Sequence, residues 1–195
     1  MKWMIASDIH GSASSCIALL EQYQKEGAQK LILLGDLLYH GPRNDLPDEY
    51  RPKEVITRLN QVKNELLCVR GNCEAEVDQM VLEFPVMADY ALLWIDGLTI
   101  FVVHGHHYNQ DQLPPLKNGD ILLHGHTHVP ALERKERKEG GWYYYLNPGS
   151  AAIPKNGNEK SYMIYEDHVF TLKSLKGDEI DSLTIQAAVP GYLSF

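Results

Sequence analysis

The stretch WMIASDIHG, residues 3–11, is an apolar run that breaks into serine, aspartate, histidine and glycine. The apolar part suits a buried strand. The polar part puts a carboxylate and an imidazole two positions apart, just ahead of a glycine. The same event recurs four times. LILL (31–34) runs into Gly35-Asp36, and LLCV (66–69) into Arg70-Gly71-Asn72-Cys73-Glu74. LTIFVV (98–103) runs into His104-Gly105-His106, and ILL (121–123) into His124-Gly125-His126-Thr127-His128.

Between the early runs lie helical patterns. Cys16, Leu19, Leu20 and Tyr23 follow the spacing of one helix face within 12–27. Val55, Leu59 and Val62 do so within 51–64, after Pro52 in the first turn. Strands alternating with helices predict an α/β fold with a parallel sheet and right-handed crossovers. Ligands in such sheets bind at the carboxyl ends of strands, so the five loops are expected to converge on one crevice. A single Asp-x-His or Gly-Asp would mean little. Five such loops, each at a strand end, are hard to obtain by accident.

Beyond residue 85 the pattern changes to short strands, near 89–94, 98–103, 120–124, 130–137, 142–147, 161–166 and 168–174. Gly140-Gly141 and Glu166-Asp167 mark hairpins. The expectation is two sheets packed face to face with helices outside. The chain reads as one unit over 1–195.

Composition narrows the partners. The formal charge is −8, which argues against general binding to nucleic acid. The three cysteines, Cys16, Cys68 and Cys73, form no disulfide pattern, and MKWMIASD is neither a signal peptide nor a membrane span. A reduced, cytoplasmic protein is expected, without membrane attachment. QAAVPGYLSF (186–195) carries apolar groups that would dock on the domain or on a partner subunit, so a homo-oligomer stays open.

The candidate donors are Asp8, His10, Asp36, Asn72, His104, His126 and His128. Carboxylate, amide and imidazole together suit Mn²⁺, Fe²⁺, Zn²⁺ or Co²⁺, and in part Mg²⁺. Seven ligands exceed one tetrahedral ion but suit two sharing a carboxylate. Two-metal sites hold their ions about 3.5–4 Å apart.

In order, SDIHG, GD, GNCE, VHGH and GHTH resemble the five blocks of the calcineurin-like metallophosphoesterases, and LNPGS (146–150) and IPK (153–155) resemble their small bacterial phosphodiesterase branch. The resemblance covers about residues 1–185. It implies a four-layer α/β/β/α sandwich and two divalent ions, Mn²⁺ first, with Ni²⁺, Co²⁺, Fe²⁺, Zn²⁺ or Mg²⁺ as alternatives. One ion would be held by Asp8, His10, Asp36 and His128, the other by Asp36, Asn72, His104 and His126. It also implies hydrolysis of a small phosphodiester by in-line attack of a metal-activated water. A phosphomonoesterase of the same fold and a non-catalytic protein-binding scaffold are the alternatives.

On an extended backbone, His126 and His128 would point the same way and Thr127 the other. His124 shares that parity but lies in the strand end, as packing or as support for a ligand. The third block departs from most of the family, which has histidine where this chain has Cys73. Beside two cations a thiolate is favoured and is a poor proton donor. His10 and His106 are then the candidate proton carriers, with plain packing or solvent exposure the alternative for His106. His40 and Arg43 are placed to touch phosphate if their loop folds over the crevice. RKERKE (134–139) reads as a solvated strand edge, and His107 and His168 have no evident role.

Overall fold

A computed structural model describes residues 1–138 and 140–186. In chain order it contains β1 (Trp3–Ala6), α1 (Ala13–Glu26), β2 (Lys30–Leu33), α2 (Pro52–Gln61), β3 (Leu66–Cys68), α3 (Glu76–Gln79), β4 (Tyr90–Ile95) and β5 (Leu98–Val103). There follow β6 (Ile121–Leu123), β7 (Ala131–Glu136), β8 (Trp142–Asn147), β9 (Ser161–Glu166), β10 (Val169–Ser174) and β11 (Glu179–Thr184). Six strands form one sheet in the order β11-β10-β9-β1-β2-β3, and five form another in the order β4-β5-β6-β8-β7. Both are mixed: β1, β2 and β3 run parallel, as do β5, β6 and β8, and the remaining pairs are antiparallel.

The expected α/β sandwich is present. Alternation along the strands sorts side chains into layers. Ile5, Ile32 and Tyr165 of the first sheet meet Ile100, Val102, Leu123 and Leu146 of the second. Met4, Ala6 and Leu33 face the other way, onto Cys16 and Leu19 of α1 and Val55 and Leu59 of α2. On the far side of the second sheet Phe101, Leu122, Tyr143 and Tyr145 pack under Leu113 and Leu116. That outer layer is the connection between β5 and β6, which carries no helix. The aromatic run at 142–145 is therefore divided: Tyr144 lies between the sheets, and Tyr143 and Tyr145 lie outside.

Local chemistry sets the element ends. Ser12 caps α1 by accepting the N–H of Ser15, and Gly27 closes it in the left-handed conformation. Pro52 opens α2. Asp167 and His168 form the β9–β10 turn, both at positive φ, one residue later than the sequence indicates. Of the predicted edge at 134–139, residues 134–136 end β7, an edge strand, with Arg134 over Trp142 and Lys135 over Tyr145, and residue 139 lies outside the described residues. β11 was not expected: EIDSLT is polar and mostly exposed, and its order comes from pairing with β10. Residues 187–195, most of the C-terminal segment expected to dock, lie outside the described residues. Among the described residues no helix is long and apolar enough to cross a membrane.

Because β1, β2, β3, β5 and β6 share one direction within their sheets, their following loops gather at one end of the sandwich. The two sheets are tied there: the N–H of His126, after β6, donates to Oδ2 of Asp8, after β1 (3.0 Å).

Candidate metal centre

Three overlapping groups of donors meet at that end, one of them His10, Asp36 and Cys73, which shares a member with each of the other two. Of those two, Asp8, His10 and His128 form the first, and Asp36, His104 and His126 the second, each with its donor atoms within 4.8 Å. Asp36 lies between them: its Oδ2 is 3.7 Å from Nε2 of His10 and 3.5 Å from Nε2 of His104. Asn72 joins the second group, with Oδ1 3.1 Å from Nε2 of His104. The structure thus brings together all seven donors picked out by the sequence.

The rings are aimed by backbone carbonyls. Nδ1 of His10 donates to Tyr39 (2.7 Å), Nδ1 of His104 to Leu34 (2.6 Å) and Nδ1 of His128 to Ile153 (2.6 Å). A carbonyl only accepts, so each Nδ1 carries its hydrogen and each Nε2 is turned to the centre. There Nε2 of His10 and of His128 are 3.2 Å apart, and Nε2 of His104 is 3.1 Å from Nδ1 of His126. Neutral rings so arranged set lone pair against lone pair. Oδ1 of Asp8 is buried without a hydrogen bond, although His128 Nε2 lies 3.2 Å away. Facing lone pairs and an orphaned carboxylate oxygen are what a bound cation relieves, so the donor set fits divalent ions.

The electrostatics agree. Burial would raise Asp8, yet the surrounding imidazoles of His10, His128 and His104 hold it well below the usual carboxylate range. Burial would lower His104, yet Asp36 and Asp8 lift it to about 9. Burial, reinforced by the neighbouring His104, lowers His106 to about 4. Burial raises the Cys73 thiol, and the Asp36 and Glu74 carboxylates push it further. The protein's own field therefore keeps Cys73 protonated. The thiolate expected from the sequence belongs to the protein with cations bound, where their charge opposes these two carboxylates.

His126 and His128 are not aligned by an extended backbone. Both have positive φ, 64° and 60°, and the bends send them to different groups. His106 follows Gly105, whose φ is 117°. The His106 ring lies 5.4 Å from that of His104 and lines the cleft alongside it. His124 lies outside the donor groups: its ring faces Tyr145 (4.9 Å) and its Nδ1 donates to the Gly125 carbonyl (2.9 Å). His40 packs between Tyr39 and Tyr50, while Arg43 lines the mouth of the centre. His168 belongs to the β9–β10 turn.

Several supporting residues carried no role in the sequence reading. Glu74 accepts the N–H groups of Asp36 (2.9 Å), Leu37 (2.7 Å) and Gly71 (2.5 Å), which fixes the loop bearing Asp36. Ser150 donates to the carbonyl of Asp8 (2.9 Å) and accepts from Ile153 N–H (2.8 Å). Asn147 donates to the Gly125 carbonyl (2.9 Å) and to Thr127 Oγ1 (3.0 Å). Lys155 lines the same mouth as Arg43, its backbone N–H donating to the carbonyl of His128 (3.1 Å). Only the motifs GNCE, LNPGS and IPK hinted at them. Two glycines are needed for close approach. A Cβ at Gly71 would lie 2.2 Å from Asp36 Oδ1, and one at Gly125 would lie 1.9 Å from Ser7 Oγ.

Buried paired carboxylates and imidazoles at the strand ends of this sandwich define a class of protein. The chain belongs to the calcineurin-like phosphoesterase superfamily, whose domain model matches residues 1–168. It is similar to the phosphodiesterase YfcE of Escherichia coli K12, 43% identical over 180 residues, which is 92% of this chain and 95% of that protein. The solved structure of YfcE, described as a phosphoesterase, matches with a TM-score of 0.89 at 43% identity, over 95% of this chain and 100% of that one. Vps29 of Entamoeba histolytica with bound Zn²⁺ shares the fold, with a TM-score of 0.57 at 22% identity, over 94% of this chain and 98% of that one.

Proposed function

We propose that the chain is a dinuclear metal-dependent phosphodiesterase. Asp8, His10, Asp36 and His128 would hold one ion, and Asp36, Asn72, His104 and His126 the other. The observation carrying this reading is the position of Asp36 between two complete donor groups, 3.7 Å from His10 and 3.5 Å from His104. Such ions, when bound, lower the pKa of water and polarise phosphoryl oxygens. The chain's residues do the remainder. Arg43 and Lys155 at the mouth neutralise the phosphate as it enters, Arg43 with a fork that matches two oxygens. Asn72 orients toward the His104 side. With one nitrogen of His10 donating to the Tyr39 carbonyl and the other turned to the ion, His106 is the group left to move a proton, and Cys73 would be a weak acid toward a departing oxygen.

The similarity to YfcE supports diesters over monoesters as the substrate class. The intact donor set supports an enzyme over a scaffold of the same fold. Manganese is the ion expected first, and three free cysteines agree with a cytoplasmic setting. Hydrolysis of bis(p-nitrophenyl) phosphate and of p-nitrophenyl phosphate, measured with Mn²⁺, Ni²⁺, Co²⁺, Mg²⁺ and Zn²⁺, tests the reading. The diester should be turned over with metal and not by Asp36→Asn. Turnover unaffected by chelator, or equal in Asp36→Asn, would contradict it.

A further inference from the structure

We infer that the cleft beside His104 is a subsite for a planar aromatic substituent of the substrate; this rests on the phosphodiesterase reading and names what that site accepts. The cleft has a volume of about 370 Å³ and is lined by Tyr90, Val103, His104, His106, His107 and Tyr108, among others. His104 belongs both to this cleft and to the second donor group, so a phosphate at the centre has one ester arm within reach of it. Tyr90 and Tyr108 are 53% and 37% exposed, large aromatic surface left open where such side chains normally bury. Both lean on the buried Phe101, Tyr90 stacked at 5.2 Å and 13° and Tyr108 edge-on at 5.8 Å.

The wall is preorganised. Asn109 donates to the Gly105 carbonyl (3.1 Å) and accepts the N–H groups of Asp111 (2.9 Å) and Gln112 (3.0 Å). The loop carrying His106 to Tyr108 is thereby folded before any ligand arrives. Charge excludes the competing occupant. The lining contains the carboxylate of Asp89 and neither lysine nor arginine, whereas Arg43 and Lys155 stand at the other mouth. A second phosphate group therefore belongs on the Arg43 side, and a flat uncharged ring on the Tyr90 side.

Binding to manganese-loaded protein, followed by calorimetry and by saturation transfer to ligand ring protons, tests this with phenyl phosphate against methyl phosphate. Adenosine 5′-monophosphate against ribose 5-phosphate tells a nucleobase from a simple aryl ring. At least one aromatic probe should bind roughly five- to tenfold more tightly than its partner. Tyr90→Ala and Tyr108→Ala should erase that gap and leave the non-aromatic probe unchanged, and Tyr90→Phe and Tyr108→Phe should keep it. No gap in either pair, or a gap that survives both alanine variants, overturns the inference. So does a change of oligomeric state in Tyr90→Ala with all binding unaltered, which would make this face a contact between copies. Failure of methyl phosphate itself to bind would instead remove the dinuclear reading beneath it.

Discussion

Asp8, His10, Asp36, His126 and His128 all sit in the left-handed region, with φ of 59°, 48°, 56°, 64° and 60°. For residues with a Cβ this costs about 1–2 kcal/mol each. Five of the seven donors thus hold strained backbone, concentrated where the ions would be gripped. His104 shows the electrostatic counterpart. Its pKa in the fold, about 9, stands above the ordinary 6.5, so the protonated ring stabilises the metal-free protein. That contribution is complete below pH 6.5 and is lost as pH rises through about 9. A metal ion needs the neutral ring, so ion binding should release a proton within this window and none from His104 above it. Titrating Mn²⁺ calorimetrically in buffers of differing ionisation enthalpy measures that proton; a proton count independent of pH would refute the assignment. Cys73, a thiol facing two carboxylates, is a weak donor. Cys73→His should extend turnover to esters with poor leaving groups, measured as the rate for alkyl relative to aryl leaving groups. An unchanged ratio would remove that role.

The loops following β2 and β3 act together through Glu74. Its carboxylate takes three buried N–H groups from the Asp36 and Gly71 loops. Glu74→Ala should cost about 3 kcal/mol or more, because buried donors lose their acceptor. That corresponds to a fall in Tm of roughly 6–12 °C, and it should weaken metal binding at the Asp36 group. A melting temperature unchanged within a degree or two would contradict the role. Which loops hold donors was legible, because each polar cluster follows an apolar run at a parallel strand end. How the donors point was not: the directions of His126 and His128 come from positive φ, which hydropathy does not encode. β11 was illegible for a related reason, since its polar sequence is held by β10 rather than by its own pattern.

For the molecule as a whole, the two sheets matter because each supplies part of the centre. The first brings Asp8, His10, Asp36 and Asn72, and the second His104, His126 and His128, so the donor set exists only when the sandwich is closed. Folding and ion binding should therefore be linked. That two sheets pack face to face was legible from runs and hairpins. The outer layer over the second sheet was not, because a loop anchored by Leu113 and Leu116 has no periodic signature. The most direct test of the account is anomalous diffraction from crystals of the manganese-loaded protein. Two peaks should appear about 3.5–4 Å apart, with the Asp36 carboxylate between them. A single peak, or peaks that leave Asp36 or the Asp8 group uncoordinated, would contradict it.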